Sequence, residues 1–183
     1  VKNIPSLSSV LKSLYVDKKR VEIIGKVFTR WETELNAGDF KTSFAEVADP
    51  TYLLWVLMFL STHNLRQSQF EDAHKYIDLA IDHTPTVEML YLHRAKIFHR
   101  EGKVQEAAEA ADVARLLDLQ DKYLNGKAAK YFFRAGKLEE AEERMGLFYK
   151  ATTVNDHFLT ARDSQCTWYE KECGDCELSR GDV

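Results

Sequence analysis

The sequence is poor in everything that interrupts a helix. Three prolines and eight glycines are spread over 183 residues, too few for a chain built on tight turns or flexible linkers. Cysteine is missing from the body: Cys166, Cys173 and Cys176 all stand near the C-terminal end. That excludes a disulfide framework and suits a reducing, cytoplasmic setting. No apolar run approaches the ~18 residues of a membrane span. The opening VKNIPSLSSVLKSL lacks an initiator Met and the apolar core of a signal peptide. An excess of basic charge is absent too. A net charge of −4 with a pI near 5.9 excludes a uniformly cationic, nucleic-acid-coating surface and leaves room for a local basic patch. What is present is 45% hydrophobic and 30% charged residues, with Ala, Leu, Glu and Lys dominating the second half. That balance predicts an all-α protein.

One phrase occurs twice. REGKVQEA at Arg100 to Ala107 returns as RAGKLEEA at Arg134 to Ala141, and RQSQFEDA at Arg66 to Ala73 is a third copy with Ser68 where the others have Gly102 and Gly136. At the same 34-residue offset Ser61, Ala95 and Ala129 coincide, as do Ala73, Ala107 and Ala141. A 34-residue period with small residues at fixed places is the tetratricopeptide pattern, in which two antiparallel helices approach closely only where side chains are small. The expected architecture is a tetratricopeptide-type α-α solenoid of antiparallel helix pairs, with units at 54–87, 88–121 and 122–155.

The second helices carry packing stripes, Phe70, Ala73, Ile77, Ala80 and Ile81 in one unit and Leu138, Ala141, Met145 and Phe148 in another. Thr84–Pro85 and Asp49–Pro50 read as helix starts. Residues 1–50 form N-terminal helices and a linker, in which Lys18–Asn36 presents Val21, Ile24, Phe28, Trp31 and Leu35 on one face expected to dock on the first unit. Residues 156–183 read as an insertion of about eleven residues and the first helix of a fourth unit, with Gly181 at the turn position and Trp168 matching Trp55. Such a helix would leave apolar surface open, so the chain is expected to be one segment of a longer solenoid.

Catalytic and metal-binding chemistry is weakly represented. Cys173 and Cys176 with Cys166 and His157 could make a tetrahedral metal set, yet the cysteines share one helical face and read as packing. Gly25–Lys26, Gly102–Lys103 and Gly136–Lys137 lack the flanking residues of a phosphate loop. The six histidines form no HExxH motif. The expectation is a protein with no catalytic and no metal-binding residues.

Binding is better supported. In stacked units the first helices line the inner face, so equivalent positions form ladders. Arg66, Arg100 and Arg134 make one, Thr62, Lys96 and Lys130 a second, and Phe59, His93 and Lys127 a third. From Lys122 to Arg134 there are four cations and no acid. Like charges gathered on one face repel unless an anion is present. Lys96, Arg100, Lys127, Lys130, Tyr131 and Arg134 are therefore the candidate polyanion site. The carboxylate clamp of chaperone-binding tetratricopeptide domains is excluded, because its places hold Met58, Thr62, His93, Tyr123 and Lys127, of which only the last fits.

The phrases PSLSSVLKSLYVDKKRVEII, TYLLWVLMFL, AIDHTPTVEMLYLHRAKIF, DKYLNGKAAKYFFRAGKLEEAEE and QCTWYEKEC resemble, in order, the central region of the large auxiliary subunit of the NatA amino-terminal acetyltransferase. The resemblance implies a non-catalytic scaffold that wraps and positions the catalytic acetyltransferase subunit, acting on nascent chains at the ribosome. It places acetyl-CoA on that partner alone. It also implies inositol hexakisphosphate as a structural ligand near the subunit boundary, with Lys96, Lys127, Lys130 and Tyr131 in the matching phrases. No membrane or sequence-specific nucleic-acid partner is expected. The competing expectation is a general tetratricopeptide adaptor that holds an acidic peptide or polyanion in the same basic groove.

Overall fold

The structure, a computed structural model, describes residues 7–37, 42–43, 49–149, 160–161, 163 and 165–181. It divides into two compact units, 1–90 and 91–183.

In the first unit the N-terminal stretch forms helix α1 (Leu7–Val10) and a 3-10 turn (Leu11–Val16), followed by α2 (Lys18–Asn36). The bounds of α2 are those its apolar spacing predicts. The Asp17 carboxylate caps it by accepting from the Lys19 amide at 2.9 Å. The face it buries is Ile24, Phe28 and Leu35, set against Val56, Phe59 and Leu60 of α3 (Thr51–Arg66), with Phe28 stacked on Phe59 at 3.6 Å between centroids. Helix α4 (Phe70–His83) completes the pair, and its stripe Ala73, Ile77, Ala80 and Ile81 is buried. At Ser61 the two helices come close enough for its hydroxyl to donate to the Ala73 carbonyl at 2.8 Å.

The expected helix start at Thr84–Pro85 is corrected. Thr84 ends α4, its N–H donating to the Ala80 carbonyl, and the next helix, α5 (Glu88–Glu101), begins three residues past Pro85. A residue preceding proline is pushed out of the helical region, and Thr84 stands outside it at φ −145°, ψ 83°. Asp49 behaves as expected: its carboxylate accepts from the Thr51 amide and hydroxyl at 2.8 and 2.7 Å.

The second unit holds most of α5, then α6 (Val104–Leu117), α7 (Lys122–Arg134), α8 (Leu138–Gly146) and α9 (Thr167–Arg180). Alanines permit its close packing. Ala95, Ala111, Ala114 and Ala128 lie in one cluster with Leu92 and Leu124, and Ala108, Ala129 and Ala141 lie in another with Phe133, Met145 and Tyr169. Helix α6 packs on α7, α7 on α8, and α9 against both α7 and α8. Between the two helices of a pair the chain turns through a left-handed residue. Ser68, Gly102 and Gly136 have φ of 60°, 90° and 72°, and Gly181, after α9, has 80°. The same bond closes each of the first three turns, Gln69 to Asn64, Lys103 to Phe98 and Lys137 to Phe132, which is the Schellman pattern. Part of the expected linker, the junction of the third unit with the insertion, and His157 lie outside the described residues.

Candidate functional site

The three equivalent arginines have three environments. Arg66 lies against the N-terminal 3-10 turn, its guanidinium 4.6 Å from the centroid of the Tyr15 ring. The Tyr15 hydroxyl is 2.8 Å from His63 Nδ1. Arg66 is thereby drawn into the fold and is not an open rung. Arg134 is forked onto Glu172 of α9, donating from Nε at 2.9 Å and from an Nη at 2.7 Å. Arg100 is exposed.

Glu172 is the residue that sequence reasoning missed. It is 7% exposed and also pairs with Lys130 Nζ at 3.0 Å. Burial works to raise its pKa, and hydrogen bonds and charge from Arg134 and Lys130 more than offset this, so the carboxyl stays below its usual range and ionised. Two of the four cations from Lys122 to Arg134, Lys130 and Arg134, therefore have a counter-charge within the fold. The absence of acid along α7 concealed it, because the acid comes from α9. A signal was available in the spacing: with the expected eleven-residue insertion, Glu172 would fall at the repeat position of Lys127, His93 and Phe59. That third ladder is corrected as a surface feature. Phe59 and His93 are buried, the His93 imidazole is held neutral by burial and by Lys96 with a pKa of about 3, and only Lys127 stands at a surface.

Lys127 and Lys130 line an open pocket of about 470 Å³ with Lys122, Tyr123, Tyr149 and Trp168. Each ammonium lies over an aromatic face: Lys122 over Tyr149 at 4.3 Å, Lys127 over Tyr123 at 5.2 Å, Lys130 over Trp168 at 5.6 Å. Met145 and Phe148 close the apolar side. Tyr131 faces His99, edge to face at 5.7 Å, and burial pushes its phenol pKa up. Lys96 and Arg100 are exposed on α5. The six expected residues thus separate into an α5 pair, two pocket lysines, Tyr131 packed against α5, and Arg134 held by Glu172.

The cysteines are packing residues where the structure describes them. Cys173 and Cys176 are buried in the cluster that contains Phe133 and Tyr169, and burial pushes the Cys173 thiol up to about 11, so it remains protonated.

Paired helices, small residues at their crossings, left-handed turns at a repeat interval and a site of cations and aromatic faces define a tetratricopeptide-type helical solenoid protein. Within that class the sequence matches, over residues 1–183, the family of N-terminal acetyltransferase A auxiliary subunits, and the chain belongs to that family. It is 38% identical over 174 residues to the human N-alpha-acetyltransferase 16, NatA auxiliary subunit, covering 94% of this chain and 20% of that protein. It is 36% identical over 183 residues to the Arabidopsis thaliana N-terminal acetyltransferase A complex auxiliary subunit NAA15, covering 100% and 20%. Among solved structures, that of Naa15/Naa10 bound to HypK-THB superposes with a TM-score of 0.85 at 30% identity, over 98% of this chain and 26% of the matched one. The chain spans about a fifth of the length of these curated relatives.

Proposed function

We propose that this chain is a non-catalytic scaffold segment of an N-terminal acetyltransferase A complex, binding and positioning the catalytic subunit that carries acetyl-CoA and acts on nascent chains at the ribosome in the cytoplasm. The observation that carries this reading is the family match over residues 1–183 together with the 0.85 TM-score against Naa15 in its Naa10 complex. No helix among the described residues is long and apolar enough to cross a membrane. The test is co-expression with the catalytic subunit from the same organism. Co-elution in size-exclusion chromatography is the expected outcome, and separate elution of the two chains at micromolar concentration would overturn it.

Inositol hexakisphosphate belongs to the same proposal, held by Lys96, Arg100, Lys127 and Lys130 with Tyr131 and Arg134 beside them. Repeat register supports it. The place from which Glu172 pairs with Arg134 is taken, one unit earlier and opposite Arg100, by Lys127. A cation therefore stands where the later unit has a carboxylate, and an external anion would relieve the repulsion. Thermal melting with the hexakisphosphate should raise Tm by linkage, and Lys96→Glu with Lys127→Glu should remove the rise. Lys130 is left unchanged in that variant because of its bond to Glu172. An equal rise in the variant would sink the site.

A further inference from the structure

The pocket between α7, the end of α8 and α9 has a composition that a polyanion alone does not use. Its walls are Tyr123, Met145, Phe148, Tyr149 and Trp168, and its rim is Lys122, Lys127 and Lys130. Glu172 pairs with Lys130. For Lys122 and Lys127 no carboxylate partner occurs among the described residues, and their contacts are with the Tyr149 and Tyr123 rings. A lysine laid over an aromatic ring keeps its stem on apolar surface and its charge at the edge of it. The cations are thus held beside an apolar opening, not dispersed into solvent. A hydrated polyanion would satisfy the lysines and leave the apolar walls wet. A purely apolar group would fill the walls and place two uncompensated cations at a dry boundary, which is costly. Both demands are met by an apolar side chain with carboxylates on either side of it. A pocket of about 470 Å³ has room for one such side chain of aromatic or leucine size with its flanking groups.

We propose that this pocket docks a peptide segment of a partner protein in which one aromatic or leucine side chain stands between carboxylates. The side chain enters between Phe148, Tyr149 and Trp168, and the carboxylates meet Lys122 and Lys127. Buried aromatic anchors with charged neighbours at the rim are the usual economy of such contacts, the anchor setting affinity and the rim setting partner choice. The site is separable from the polyanion reading. Lys122, Tyr123 and Trp168 belong only to the pocket, and Lys96 and Arg100 only to the polyanion set.

The probe is fluorescein-labelled acetyl-Glu-Glu-Phe-Glu-Glu amide, titrated against the purified chain by fluorescence anisotropy. Saturable binding is expected, weakened about tenfold or more when Phe is replaced by Ser and likewise when the four Glu are replaced by Gln. Lys122→Glu and Tyr123→Ala should each weaken it about fivefold or more. Both positions are exposed, Tyr123 by 55%, and circular dichroism checks that the variants remain folded. The melting shift given by inositol hexakisphosphate should persist in Tyr123→Ala, which separates failure of this proposal from failure of the polyanion site. Equal affinity for the Phe and Ser peptides would mean a plain anion-binding surface and overturn the proposal. Equal affinity for the Glu and Gln peptides, indifference to both substitutions, or no saturable binding would overturn it as well.

Discussion

At the scale of single residues, charge is placed where two helices meet. The Arg144 guanidinium of α8 lies over the Phe132 ring at 3.8 Å and donates from Nε and one Nη to Asp112 of α6 at 2.8 Å each, while Arg115 holds the same carboxylate at 2.7 Å. Burial works to raise the Asp112 pKa, but hydrogen bonds from Arg144 and Arg115 outweigh it and hold the group at about 2. The unfolded chain takes up this proton near the ordinary carboxylate value, so the stabilisation is present above about pH 4 and is lost as pH falls toward 2. Asp112→Asn should lower unfolding free energy by about 1–3 kcal/mol at neutral pH, since Arg144 stays half buried without its anion. The variant should also lose that part of the acid-side decline. Urea unfolding at pH 7 and pH 3 reads both effects, and an unchanged pH slope would refute the assignment.

Two helical glycines predict opposite signs. A Cβ on Gly25 would lie 2.9 Å from His63 Nε2, and that ring is buried and tied to Tyr15. A Cβ on Gly126 would meet Trp168 at an ordinary 3.5 Å. Alanine gains up to about 1 kcal/mol over glycine inside a helix. Gly126→Ala should therefore stabilise by about 0.5–1 kcal/mol. Gly25→Ala should destabilise, the overpacking cost of about 1–3 kcal/mol exceeding the propensity gain. Denaturant midpoints with an unchanged m-value would establish either sign.

At the scale of elements, the turns decide how exact the repeat can be. Ser68 keeps the Schellman bond of its glycine counterparts at φ 60°, a region that costs a residue with a Cβ about 1 kcal/mol or more. Ser68→Gly should recover part of that and raise the melting temperature, whereas Gly136→Ala, at φ 72°, should lower stability by about 1 kcal/mol. A lower melting temperature for Ser68→Gly would show that the Ser68 side chain contributes more than the strain costs. The left-handed residue recurs at Gly181 after α9, at φ 80°. Helix ends were less legible than helix interiors. The Thr84–Pro85 pair looks like a start, and the pre-proline restriction makes Thr84 an end instead.

At the scale of the whole molecule, each compact unit has its own apolar cluster: Ile24, Phe28, Phe59 and Leu60 in the first, and Phe133, Met145, Tyr169 and Cys173 in the second. Repeat proteins of this class sum local stabilities and neighbour terms. Strain introduced at Gly25 should then speed amide hydrogen exchange in α2 and α3 before it is felt in α7 to α9. Uniform loss of protection along the chain would indicate a single cooperative unit.

The residues alone determined the helical class, the period, the turn positions, the small-residue crossings and the docking face of α2. These are local or periodic properties, carried by side-chain size and by spacing along one chain. Tertiary structure alone decided which cations remain available. Arg66 is covered by Tyr15 from 51 residues upstream, Arg134 is matched by Glu172 from 38 residues downstream, and Lys122 meets Tyr149 across a helix pair. A counter-charge or an aromatic face acts through distance in space, and the sequence interval between the partners carries no record of it until the chain has packed.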